Sequence, residues 1–89
     1  MIQNTLFRQC LAGVPEEQRA EFELSFGIAE RICEVLKAKN LTQKDFARKL
    51  HKSESEISKW LTGRHNFTMQ TIAKIELALD CKIINVAQC

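Results

Sequence analysis

Residues 42–63 read TQKDFARKLHKSESEISKWLTG and hold two short amphipathic patterns back to back. Phe46, Ala47 and Leu50 mark the first, and Ile57, Trp60 and Leu61 mark the second. Separations of three and four residues put such side chains on one face of a helix. Too few residues lie between the two sets for a loop of any length, so the spacing predicts a helix, a tight turn and a second helix.

The start and stop signals agree. Thr42 stands before the first pattern as an N-cap whose hydroxyl can accept from the orphan N–H groups of the first turn. Ser53 opens the second pattern and, with Glu56 three residues on, makes a capping box. Gly63 is the stop signal of the second helix. Two helices that cross steeply over a short turn need a small residue at the crossing, and Ala47 supplies it. Ile57 is then the apolar peg of the second helix, while Ser55, Ser58 and Lys59 fall off the buried stripe and face outward. Such a face of small and basic residues suits a nucleic-acid groove.

LTQKDFARKL followed by SESEISKWLTG resembles the helix-turn-helix of the phage lambda repressor and Cro class, the XRE family. Gln43, Ala47, Ser53, Ile57, Ser58, Trp60 and Gly63 fall where that family's pattern places such residues, and the resemblance extends over residues 28–79. One departure is His51, at a turn position where the family usually has glycine and where the backbone is often left-handed. The resemblance implies an all-α, lambda-repressor-like bundle of four to five helices. In that arrangement the second helix of the motif enters the major groove and the first spans the backbone.

By the same resemblance, Glu54, Ser55 and Lys59 occupy the base-reading positions, with Ser58 as a weaker candidate. Lys59 can donate to guanine O6 and N7, Ser55 can serve in either sense, and Glu54 can accept from a cytosine amino group. Glu56 is better explained by the capping box. Gln43 looks like the family residue that donates to a phosphate and braces the reading helix. Lys44, Arg64, His65 and Asn66 are placed to grip backbone on either side, and Lys52 and Ser53 can do so from the turn. Each cation alone would be an ordinary solvated charge; clustering with the motif raises the functional reading. Trp60, at core spacing, reads as structural rather than as a stacking platform.

Eighty-nine residues suit one domain with one core. No apolar run is long enough to span a bilayer and the N-terminus does not resemble a signal peptide, so the expected location is the cytoplasm, away from membranes. Cys10, Cys33, Cys81 and Cys89 form no C-x-x-C pair and no cluster at zinc spacing, and they read as reduced, buried or incidental thiols. The net charge of +2 is unevenly spread. Residues 1–36 carry three basic against six acidic side chains, residues 37–65 carry eight against three, and residues 66–89 balance. Positive charge therefore gathers around the helix pair, where phosphate contacts supply non-specific affinity.

Along the chain, residues 4–12 form a weak amphipathic pattern of Leu6, Phe7, Cys10 and Leu11, a short helix or an arm, ended by Gly13 and Pro15. Glu16 and Glu17 then favour helix initiation beside the positive end of the dipole. Apolar residues run on through Phe22, Phe26, Ile28, Ile32, Val35 and Leu36, with Ser25 and Gly27 as interruptions. One long helix or two with a break near Ser25 fits this pattern. Phe7, Phe22 and Leu24 must bury somewhere, either on the domain's own core or in a dimer or partner surface.

After Gly63, Thr68 is the next N-cap, followed by Ile72, Ile75 and Leu79 at helical spacing. The tail CKIINV is β-branched and prefers extended structure, a short C-terminal β-strand that must pair with a second copy or an N-terminal segment. A non-strand tail packed on the core is the competing expectation. The division expected is an N-terminal extension (1–24), a helix-turn-helix domain (25–80) and a tail (81–89).

No catalytic triad, glycine-rich phosphate loop or metal constellation is recognisable, so neither enzymatic activity nor a cofactor is expected. The expected function is sequence-specific binding of double-stranded DNA as a homodimeric transcriptional regulator, a repressor seated on an inverted-repeat operator. Small XRE-like proteins of this architecture also resemble antitoxins of the host-inhibition-of-growth type, which bind a protein toxin and repress their own operon. A third reading is a protein-interaction module that kept the fold and lost DNA binding, motivated by Glu54 and Glu56 on the reading helix.

Overall fold

The structure, a computed structural model, describes residues 15–87. The expectations for residues 4–12, and for Phe7, Cys10 and Cys89, lie outside the described residues. Among the described residues there are four helices: α1 (Glu16–Ala38), α2 (Gln43–Leu50), α3 (Glu54–Lys59) and α4 (Met69–Leu79). The all-α helix-turn-helix architecture is the one expected from the sequence.

Helix α1 is continuous across Ser25 and Gly27, which settles the choice between one helix and two. Ser25 is no break but a buried contact position at 7% exposure, where a small side chain suits close approach. A Cβ at Gly27 would meet only open space among the described residues. The C-terminal half of α1 supplies Ile32, Val35 and Leu36 to the core, and its main contact is with the turn Trp60–Arg64 that follows α3.

Helices α2 and α4 close the core from the other sides, with Phe46 and Ala47 from the first and Ile72, Ile75 and Leu79 from the second. Ile57 and Trp60 enter it from α3 and its end. Each of α2, α3 and α4 starts at a hydroxyl N-cap: Thr42 accepts from Asp45 N–H, Ser53 from Glu56 N–H and Thr68 from Thr71 N–H. Such caps contribute roughly 1 kcal/mol each by satisfying a donor that the helix leaves orphaned.

The other ends share one device. Asn40, His51 and Asp80 follow α1, α2 and α4 in left-handed conformations with φ of 60°, 56° and 50°. The next N–H in each case reaches back five residues, Leu41 to the Leu36 carbonyl, Lys52 to Ala47 and Cys81 to Glu76. These are Schellman closures, and they let short helices end without losing their last carbonyls to the interior.

Beyond α4 the tail forms no strand among the described residues, which corrects the expectation of a short C-terminal β-strand. Ile83 buries and Ile84 half-buries without pairing, while Val86 stays exposed, because the Glu76 carboxylate takes over the partner's part. Its Oε2 accepts from the N–H groups of Ile83 at 2.9 Å and Ile84 at 3.1 Å, and Arg31 of α1 donates to the Lys82 carbonyl at 3.0 Å. Ile83 is thereby seated in the core. Two N–H donors on one carboxylate hold its pKa below the ordinary glutamate value, with Lys82 adding to the effect.

Candidate nucleic-acid interface

Thr42 and Asp45 form a reciprocal capping box at the start of α2: Asp45 Oδ2 accepts from Thr42 N–H at 3.0 Å, and Thr42 Oγ1 accepts from Asp45 N–H at 3.1 Å. The Thr42 N–H, and after it the Thr42 hydroxyl, lower the Asp45 pKa, so the cap is ionised and ordered near neutrality. Gln43 and Lys44 then stand exposed on the first turn. In the sequence this box is written T-x-x-D, one methylene short of the usual acid, and is less readily recognised than the S-x-x-E box at Ser53.

The turn to α3 hinges on His51, left-handed as the glycine-favouring position demands. Ser53 accepts from Glu56 N–H at 3.1 Å, and the Glu56 carboxylate lies 3.5 Å from Ser53 N–H and 3.9 Å from Lys52 Nζ. Glu56 is thus spent on the turn. The Ser53 hydroxyl is also spent there, and Lys52 is held beside it.

Along α3, Ile57 is fully buried and Trp60 nearly so, while Glu54, Ser55, Ser58 and Lys59 are all exposed. A six-residue helix with one buried anchor in the middle and another just past its end cannot rotate without exposing them. Its outward row is therefore fixed by its inward one.

The wide turn Trp60–Arg64 leads away from α3 and contains a left-handed Gly63. The Thr62 hydroxyl donates to the Lys59 carbonyl at 2.7 Å and accepts from Arg64 N–H at 3.4 Å, which ties the backbone of Lys59 to that of Arg64. Sequence reasoning misses Thr62, since a lone threonine at a helix end gives no signal until the turn is known. Arg64 and Asn66 are exposed.

His65 differs from the other ten sequence-predicted site residues. Its ring stacks on Trp60 at 5.2 Å and meets Phe67 edge-on at 4.7 Å, half-buried in the aromatic cluster. Burial lowers its pKa below the usual histidine value. The imidazole is thus neutral at pH 7 and adds a hydrogen-bonding edge rather than a charge.

Two exposed polar turns on a helix clamped by its opposite face, with cations before and after, define a DNA-binding helix-turn-helix domain. The family described as Helix-turn-helix matches residues 32–84, more than half of the chain, and the chain belongs to it as an XRE-type helix-turn-helix protein. This is a family of DNA-binding regulatory domains rather than of enzymes, and the protein is a DNA-binding regulator. Comparison with curated proteins and with solved structures gave no match. Among the described residues no helix is long and apolar enough to cross a membrane, and no three of His, Cys, Asp and Glu stand where they could hold a metal ion. Cys33 is exposed and Cys81 half-buried, both free thiols among the described residues.

Proposed function

We propose that the protein reads a specific double-stranded sequence as a homodimer and represses transcription by occupying an operator in the cytoplasm. The observation that carries this reading is the exposed row Glu54, Ser55, Ser58 and Lys59 on a helix whose buried face is Ile57 and Trp60. In this reading residues 25–80 are the reading domain, flanked by residues 1–24 and 81–89. Lys59 donates to a guanine edge, Ser55 bonds in either sense, Glu54 accepts from a cytosine amino group, and Ser58 makes a shorter contact. Gln43 and Lys44 hold phosphates from the start of α2, Lys52 from the turn, where Ser53 caps α3 instead of reaching the backbone, and Arg64, His65 and Asn66 from beyond α3. Two copies about 34 Å apart meet successive major grooves of an inverted repeat.

The test is selection of bound duplexes from a random pool, followed by salt titration of wild type and Lys59→Ala on the selected site. An enriched inverted repeat is expected, with Lys59→Ala losing about 1 to 3 kcal/mol and relaxing one base position. Absence of enrichment, with weak binding that disappears at moderate salt, would leave only generic phosphate attraction and overturn the reading.

A further inference from the structure

The turn Trp60–Arg64 separates the end of α3 from the first exposed cation beyond it, and one side chain spans the gap. Thr62 gives its hydroxyl proton to the Lys59 carbonyl at 2.7 Å and receives the Arg64 N–H at 3.4 Å. A hydroxyl has one proton and two lone pairs, so it can make both bonds at once. Thr62 is itself exposed and adds nothing to the apolar core.

The two ends of this bridge are not equally fixed. Lys59 is the last residue of a helix clamped by the buried Ile57 and Trp60, so its carbonyl is held without help from Thr62. Arg64 instead follows the left-handed Gly63, and glycine ranges over more backbone conformations than any other residue. Beyond it, the stack of His65 on Trp60 restrains the next residue but not the Arg64 N–H. That restraint falls to Thr62. The Arg64 head, meanwhile, makes no ion pair among the described residues, whereas Lys52 lies 3.9 Å from Glu56. An exposed cation with a fixed backbone and a free head loses less freedom when it meets a phosphate.

We propose that Thr62 is a positioning residue for DNA binding, whose hydroxyl anchors the Arg64 backbone to the end of α3 and so presents the Arg64 guanidinium to a phosphate. This role rests on the reading of Arg64 as a phosphate contact and needs no base recognition. Thr62 itself touches no DNA. Its loss therefore weakens binding only while Arg64 is present, and does so alike on every sequence, because a phosphate carries no base information.

A double-variant cycle on a duplex of arbitrary sequence tests this, with the affinity of the full chain measured across a range of salt concentrations. Arg64→Ala is expected to reduce the slope of log affinity against log salt by about 0.9, the loss of one phosphate contact. Thr62→Val keeps the shape without the hydroxyl and is expected to weaken binding about three- to tenfold at low salt, the scale of one intramolecular hydrogen bond. In the Arg64→Ala background the same change is expected to cost less than about twofold. Thr62→Ser retains the hydroxyl and is expected to bind within about twofold of wild type.

An equal loss in both backgrounds would make Thr62 a contributor to the fold only and overturn the proposal. So would a Thr62→Val protein that binds like wild type, or a Thr62→Ser protein that binds like Thr62→Val. Thr62→Ala in the same two backgrounds gives the same comparison should valine disturb the turn. If Arg64→Ala leaves both affinity and slope unchanged, the phosphate reading of Arg64 falls and takes this role with it. That outcome is distinct from one in which Arg64 matters and Thr62 does not.

Discussion

His51 and Gly63 close the two helices of the helix-turn-helix in the same left-handed region, at φ of 56° and 85°, yet only one of them requires glycine. His51 is exposed, so its side chain leaves into solvent and the cost is conformational alone. Gly63 is buried beneath α1, where a Cβ would overlap the Phe26 ring. A positive φ favours glycine, but the neighbour decides whether any other residue can be accommodated. The family pattern that asks for glycine at both positions thus combines two physical demands of different strength, and this chain relaxes the weaker one.

Gly63→Ala is the most damaging test of that distinction. The left-handed penalty of about 1 to 2 kcal/mol adds to an overpacking cost of about 1 to 3 kcal/mol, for a total of about 3 kcal/mol in chemical denaturation. Phe26→Ala in the same chain is expected to return the packing part and leave the conformational part. If the double variant is no more stable than Gly63→Ala alone, the ring is not the obstacle and the contrast loses its basis.

At the other turn, His51→Gly is expected to stabilise the fold by about 1 kcal/mol, a rise in melting temperature of about 5 °C for a domain of this size. A neutral or destabilising outcome would mean that the His51 side chain contributes something the exposed position does not reveal.

The tail separates another pair of closures, since Asp80 ends α4 as His51 ends α2 but is followed by residues held through Glu76. The folded carboxylate titrates below its ordinary value of 4.5. Its stabilising contribution is therefore complete above that value and disappears as pH falls through the lower folded value. Protection of the Ile83 and Ile84 amides, measured as exchange relative to the intrinsic rate at each pH, is expected to fall below about pH 4.5 in wild type. In Glu76→Gln the protection should already be weaker at neutral pH and lack the acid transition. Exchange that follows pH identically in the two proteins would assign the tail's order to Arg31 instead.

What is legible in the sequence is what neighbours along the chain decide. Thr42, Ser53 and Thr68 are readable as caps because each acts within three residues, and Phe46, Ala47, Ile57 and Trp60 are readable as core because helical spacing sorts them to one side. The failures are non-local. Residues 83–86 carry strand-like side chains, but Glu76, seven residues before Ile83, supplies the acceptor that a paired strand would have supplied. His65 reads in sequence as one more group beside the motif to grip the DNA backbone, and the Trp60 and Phe67 rings that keep it neutral are apparent only once the turn is built. The exposed positions of α3 are legible as a row, whereas what that row would touch depends on a second molecule.

Ser25 and Gly27 repeat the contrast of His51 and Gly63 on the smallest scale, because both stand in the sequence as interruptions of the same helix. Ser25 is buried, so a larger side chain there would have to displace its surroundings. Gly27 has nothing within 4 Å of where a Cβ would stand and an ordinary helical backbone, so its size is required by nothing in the described residues. Gly27→Ala removes backbone freedom from the unfolded chain and is expected to stabilise α1 by about 0.5 to 1 kcal/mol. The same position lies in the lining of a groove with Leu24 and Met69. A neutral or destabilising outcome in chemical denaturation would mean that something does pack against this face of α1.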